Sequence, residues 1–457
     1  MTDTQPSEES QTAVEPGPAT MAVFYRLLLN TLVTGVTSSF LWFALTFWVY
    51  VETQSVVATG MIGAGFSLSS AILGPIVGTF VDRHRKHLVM TLATATSAVC
   101  FTIATAIYVG SSTDDLLQLT NPFFWLLVGF TLFGSVAAMM RGIALSTCVT
   151  LLVPEDRRDK ANGMVGTVTG VSFAITSVFS GLIIGLAGMG WAFVVALTLT
   201  LIALAHLGTI KINEPAPTPP EEEGRRKFID IRGALDAIFA VPGLLMLILL
   251  AAFNNLLGGV FMALMDAYGL SIVSVEAWGF LWGFISLSFI AGGLVVARRG
   301  LGKSPVRVVL IGNLINWSVC ALFAIQSSIV LLTIGMVIWL GLIPAIEAAE
   351  QTVLQRRIPF EKQGRVFGFA QFVENATAPL TAIFMAPIAE AFFMPYMTDG
   401  GGAELIGSWF GTGPSRGLGL MFTIAGIIGV IVTLIAWSSR SYRRLVAADL
   451  APAEGVS

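Results

Sequence analysis

The sequence predicts an all-α membrane protein with twelve transmembrane helices in two six-helix bundles. Three observations predict it. Of 457 residues, 55% are hydrophobic and only 12% are charged, with a mean hydropathy of +0.81. A soluble domain carries about 25% charged residues. Twelve apolar stretches reach the length of about 20 residues that a helix needs to cross a bilayer core. Finally, of 25 Lys and Arg residues, all but Arg141 and Arg416 fall on one side of the resulting alternation.

The first six spans are expected near 24–50, 56–81, 88–110, 122–150, 163–187 and 190–210. The second six are expected near 241–267, 277–297, 306–326, 328–353, 366–392 and 416–438. Closed β-barrels are the other spanning solution, but their strands alternate every second residue and these runs do not. Gly74 with Gly78, and Gly181 with Gly185, carry the small-xxx-small spacing that lets helices approach closely. The basic side holds Arg26, Arg83–Lys86, Arg157–Lys160, Lys211–Arg232, Arg298–Arg307, Arg356–Arg365 and Arg440–Arg444. The opposite loops carry Glu52, Asp114, Asp115, Glu276, Asp399 and Glu404. By the positive-inside rule both termini are expected in the cytoplasm.

Residues 1–21 are polar and acidic and read as a disordered cytoplasmic tail, without the basic start or cleavage site of a signal peptide. One bundle is expected over 22–210 and the other over 237–445, joined by a cytoplasmic linker at 211–236 and followed by a tail at 446–457. The linker contains NEPAPTPPEEEGRRK (Asn213–Lys227), rich in Pro and charge as exposed linkers are. After it, Phe228, Ile229, Ile231, Leu235, Ile238 and Phe239 share one helical face. That fits a helix lying on the membrane surface or an early start of the seventh span.

The halves echo each other. Val153-Pro154 is followed by Lys160 and Gly163; Ile358-Pro359 is followed by Arg365 and Gly368 at the same offsets. Phe66-Ser-Leu-Ser69 in the second span matches Ile285-Ser-Leu-Ser288 in the eighth. These matches, 205 and 219 residues apart, favour a six-plus-six duplication. Parallel halves with a substrate path between them are one transporter plan.

The segment Gly78-Thr-Phe-Val-Asp82-Arg83-His-Arg85-Lys86, between the second and third spans, resembles the signature of the major facilitator superfamily. The resemblance covers about 22–445. The wider pattern, including Pro359 and Gly364-Arg365-Val-Phe-Gly368, looks most like the macrolide-efflux and enterobactin-exporter branch. It implies the major facilitator fold in a bacterial cytoplasmic membrane. It also implies a secondary transporter exporting a drug- or siderophore-like molecule by alternating access, coupled to protons. Uptake by the same fold, or a receptor or assembly factor that transports nothing, are the alternatives. The resemblance further implies that Asp82 faces the start of the eleventh span near Gly364–Arg365 and latches the halves on the inside, with Arg83 joining through carboxylates of the other half. Lys86, His84 and His87 read equally as positive-inside charges, a reading that leaves Asp82 unexplained. The matching loop of the second half, Arg298–Ser304, lacks the acid.

Ionisable groups inside spans are costly unless paired or facing water, and are functional candidates by default. Arg141 lies 13 residues before Pro154, about 20 Å from the inner edge at 1.5 Å per residue. Glu347 lies at nearly the same depth before Pro359, Glu350 shares its face three residues on, and Glu374 lies in the eleventh span. Two readings stand: a substrate and proton pathway through Arg141, Glu347, Glu350 and Glu374, or a static ion pair of Arg141 with Glu347 or Glu350. Arg141 departs from the efflux branch, which has a small residue or proline thereabouts.

No enzyme is expected, because no nucleophile cluster or paired ligand set occurs. Cys100, Cys148 and Cys320 sit in separate spans, away from the histidines, so no metal site and no cofactor are expected. Gly302-Lys303-Ser304 lacks the first glycine of a phosphate loop, since Ala297 stands there. The expected partners are a small-molecule substrate, the proton and the lipid bilayer, with no nucleic acid; the expected state is a monomer.

Overall fold

The computed structural model describes residues 18–53, 56–112, 116–118, 120–214 and 230–450. The first four spans are α1 (Pro18–Thr53), α2 (Val56–Arg83), α3 (Lys86–Gly110) and α4 (Pro122–Leu152). The next helical stretch, Arg158–Gly208, breaks at Gly188 (φ 79°, ψ 176°), a backbone region open to glycine. It therefore forms two spans, α5 (158–187) and α6 (189–208), at the tight join expected there. After the linker come α7 (Ile231–Ala240), α8 (Leu244–Leu270), α9 (Val275–Arg299), α10 (Pro305–Phe323), α11 (Ile329–Arg357) and α12 (Gln363–Ile388). Two short helices, α13 (Met394–Thr398) and α14 (Gly401–Phe410), lead to the last span, α15 (Pro414–Ser438), and to α16 (Arg440–Leu450). Among the described residues, ten helices are long and apolar enough to cross a membrane; α2 and α5 complete the twelve spans.

The helix following the linker is separate from the seventh span: it ends at Ala240, before Pro242-Gly243. Most of the linker, 215–229, lies outside the described residues. The chain after the last span is helical to Leu450 and buries Tyr442 and Leu445, so packing continues past the expected end of the last span at 438. Its Ser441 carbonyl lies where a Cβ on Gly243 would go.

The duplication is visible in local backbone. Val153 and Ile358 are extended, as a residue before proline prefers. Each is followed by a proline, a single 3-10 turn (Glu155–Arg157, Phe360–Lys362), and the start of α5 or α12.

Burial shows how the halves meet. At the end bearing the basic loops, one apolar core unites them, running from Phe24 and Met140 to Val353, Phe367 and Leu445. Toward the opposite end it divides in two. One cluster lies wholly in the first half, around Leu41, Phe101 and Phe193. The other lies wholly in the second, around Phe261, Trp317 and Phe422. Arg416, one of the two basic exceptions, is buried in that second half. It donates to the carbonyls of Phe410, Ala324 and Ile325 at 2.7–2.8 Å and to Tyr268 Oη at 3.1 Å.

Candidate functional site: two seams and a carboxylate cavity

The halves touch along two seams at the basic end. In the first, α2 packs along α12 through glycines. A Cβ on Gly74 would lie 2.8 Å from the Gly368 carbonyl, and one on Gly78 would collide with the Gly364 carbonyl. Asp82 ends this seam. Its buried carboxylate accepts the backbone N–H of Gly364 at 2.6 Å and of Arg365 at 2.9 Å, the first turn of α12, where orphan donors and the helix dipole favour an anion. Arg365 Nε donates to the same carboxylate at 2.8 Å, while its Nη1 reaches Asp230 at 2.6 Å. Asp230 also caps α7 through Gly233 and takes its own N–H to Thr79 Oγ1. Lys86 is buried with its ammonium 4.9 Å over the Phe360 ring, a contact across the halves. Arg83 is half-buried at the end of α2 and Arg85 is exposed. Glu214, at the start of the linker, accepts from the backbone N–H of Lys86 and His87 at the head of α3.

The second seam joins α5 to α9. Gly163 lies against Val296 and Ala297, and Gly293 against Thr167. Here Asp159, in the first turn of α5, accepts the backbone N–H of Leu301 at 2.7 Å. Asn162 bonds Gln355 Oε1 and Thr352 Oγ1, both at 2.9 Å, and Gln355 Nε2 reaches the Ser146 carbonyl at 3.0 Å. Asp159, Asn162 and Gln355 went unread in the sequence. The signal for Asp159 was its register: it stands 205 residues before Gly364.

Above the seams, Glu347, Glu350 and Glu374 come together. They form the wall between two cavities of about 330 Å³ each. One lies between the halves, where Thr31, Ser146 and Asn162 face Gln351 and Gln371. The other lies within the second half, where Asn254, Asn313, Asn316 and Trp317 line it. The carboxyl groups of Glu350 and Glu374 lie within hydrogen-bonding reach, with Glu347 close enough to interact with both. Glu347 opens onto the cavity, whereas Glu350 is 8% exposed with Oε1 unpartnered.

Arg141 stands apart from them. It is 3% exposed, and its guanidinium donates to Asn30 Oδ1 at 2.6 Å and Thr34 Oγ1 at 2.8 Å, both on α1. Asn30 in turn donates to the Ala203 carbonyl at 2.8 Å. The side chain ties α4 to α1 and α6 inside the first half, so the ion pair with Glu347 or Glu350 considered from the sequence is replaced by hydrogen bonds to neutral partners.

The chain is 22% identical to macrolide efflux protein A of Streptococcus pyogenes over 382 residues, 80% of this chain and 89% of that one. It is 23% identical to the enterobactin exporter EntS of Escherichia coli over 432 residues, 93% and 94% of the two chains. A bacterial homologue of the iron transporter ferroportin, solved in an outward-facing state, shares the fold at TM-score 0.67 and 15% identity, covering 91% of this chain and all of that one. The human organic anion transporter MFSD10 superposes with the same TM-score at 14% identity and the same coverage of this chain. A family model described as Major Facilitator Superfamily matches residues 27–382, and the chain belongs to that superfamily.

Proposed function

We propose that this multi-pass membrane protein is a secondary active transporter that exports a small organic molecule by alternating access, in exchange for protons. One observation carries the reading. A mid-depth cavity bearing three carboxyl groups lies between halves that share one core at the basic end and have separate cores at the other. With the basic loops in the cytoplasm, as the positive-inside rule asks, this is the arrangement closed to the cytoplasm and open outward. Asp82 and Asp159 then act as latches of the outward-facing state, and parting the two seams turns the cavity inward. Adjacent carboxyl groups titrate as a pair. Glu350 and Glu374 are thus suited to take protons from one side and give them up on the other. The likeness to a macrolide efflux protein and an enterobactin exporter favours export over uptake, in a bacterial cytoplasmic membrane.

The test is flux. Proteoliposomes carrying the purified chain should move substrate against its gradient when a pH gradient is imposed, with candidates taken from a susceptibility panel on a deletion strain. Substrate binding without flux would make the protein a receptor, and deletion-strain resistance rather than sensitivity would reverse the direction. Orientation is checked separately. Cysteines at Ser112 and Gly401 should label in intact cells, while one at Thr218, outside the described residues, should not.

A further inference from the structure

We infer that the cavity in the second half is the binding site for an organic cation: a protonated or quaternary amine, or its phosphonium equivalent, carried on an apolar body. This rests on the transporter reading and names the substrate class of that same site.

Three features point to a ligand of this charge. Among the described residues, no lysine, arginine or histidine lines either cavity, while Glu347, Glu350 and Glu374 line both. The cation at matching depth, Arg141, is turned into the first half and donates to Asn30 and Thr34, so it does not neutralise them. Independently of charge, three side chains on this cavity, each more than nine-tenths buried, carry one unpartnered polar atom: Glu350 Oε1, Asn313 Nδ2 and Asn316 Oδ1. Buried polar atoms are almost always hydrogen-bonded, so these three await whatever fills the cavity. Two of the three atoms are acceptors, which suits an N–H donor or a cationic carbon shell.

The remaining wall suits the apolar body. Trp317 and Trp339 flank the cavity. Both pack around Phe261, at 6.1 and 5.9 Å between ring centroids. Trp317 is held further by a 2.8 Å bond from Nε1 to Asn254. Indole faces attract cations, more so when desolvated. A volume of about 330 Å³ falls at the lower end of small-molecule sites. It fits a cationic head with part of its body, the rest extending past the glutamates into the space between the halves.

The experiment is equilibrium binding of radiolabelled tetraphenylphosphonium to the full chain in nanodiscs, with empty nanodiscs subtracted. Unlabelled tetraphenylphosphonium should compete, and tetraphenylborate, of the same shape and opposite charge, should not. Glu350→Gln should weaken binding at least ten-fold. If that variant does not fold, Glu347→Gln, whose side chain opens onto the cavity, should weaken it several-fold at unchanged melting temperature. Equal competition by tetraphenylborate, or unchanged binding in Glu347→Gln, would overturn the inference. Displacement by equimolar Mn²⁺ would also overturn it, in favour of an inorganic-cation site. Because no gradient is imposed, the two readings fail separately. Binding without flux counts against the transporter alone, and flux of a neutral or anionic molecule with charge-blind binding counts against the cation site alone.

Discussion

The Asp159 carboxylate accepts the backbone N–H of Leu301 at 2.7 Å, and in the register of the duplication these two residues are the counterparts of Gly364 and Asp82. The repeat offsets, 205 residues from Pro154 to Pro359 and 219 from Phe66 to Ile285, carry Asp159 onto Gly364 and Asp82 onto Leu301. Both seams therefore close with one carboxylate on backbone donors across the halves, those of Gly364 and Arg365 in the first and that of Leu301 in the second. The acid comes from the end of α2 in one and from the start of α5 in the other. The loop Arg298–Ser304 needs no acid of its own, because the opposite half supplies it.

Asp82→Asn should leave the fold intact and shift the protein away from the form closed at the basic end. A charge at a helix N-terminus contributes about 0.3–1 kcal/mol when exposed and up to about 2 when partly buried. The shift should be several-fold to about thirty-fold in population. Spin-label distances between cysteines placed at Arg85 and Lys362 should lengthen and transport should fall; an unchanged distance distribution with normal transport removes the latch.

Asp159→Asn should have the same sign and similar size, and the two substitutions should add in free energy, since their seams share no residue. The Asp82→Asn/Asp159→Asn variant should show a basic end parted in most molecules by the same spin-label measurement. A double variant no more open than either single one would mean that the second seam does not bear on closure.

Glu350→Gln and Glu374→Gln each remove one member of the adjacent carboxyl pair while keeping its volume. Flux driven by a pH gradient should drop at least ten-fold in both, while substrate exchange without a gradient persists in at least one of them. Full pH-driven flux in the Glu350→Gln/Glu374→Gln variant would exclude the pair as the proton site.

Arg141→Met should lower stability by about 1–3 kcal/mol, the cost of leaving a buried partner unsatisfied, here Asn30 Oδ1. Melting of the purified protein reads this directly. Combination with Asn30→Ala should cost less than the two losses added, whereas combination with Glu347→Ala should be additive. Non-additivity with Glu347 instead would restore a link between the arginine and the cavity.

Span count, basic-residue asymmetry and duplication were legible because each is written in residue type and spacing. The Asp82 contact with Gly364 and Arg365 was expected on the family resemblance alone. The second seam was hidden because its donor is the backbone N–H of Leu301, which no side chain advertises. Arg141 was misleading for a related reason. Depth along a helix follows from counting residues, but the direction a guanidinium faces depends on how α4 is rotated, and ordinary polar residues of α1, Asn30 and Thr34, decide it. Asn313 and Asn316 share a face of α10, yet nothing in their spacing said that this face borders a cavity rather than a neighbouring helix.

The glycine contacts of the first seam have a mechanical consequence. Where Gly74 and Gly78 meet Gly364 and Gly368, main chain rests on main chain, and main chain has no rotamers with which to yield. Such a joint has no graded compliance: it is seated or it is parted, and a partial gap forfeits contact attraction with nothing to fill the void. The two halves are thereby inclined to move as stiff bodies between two discrete positions. The cavity's side chains can then be exchanged for a new cargo while the hinge action, held in backbone, stays as it is.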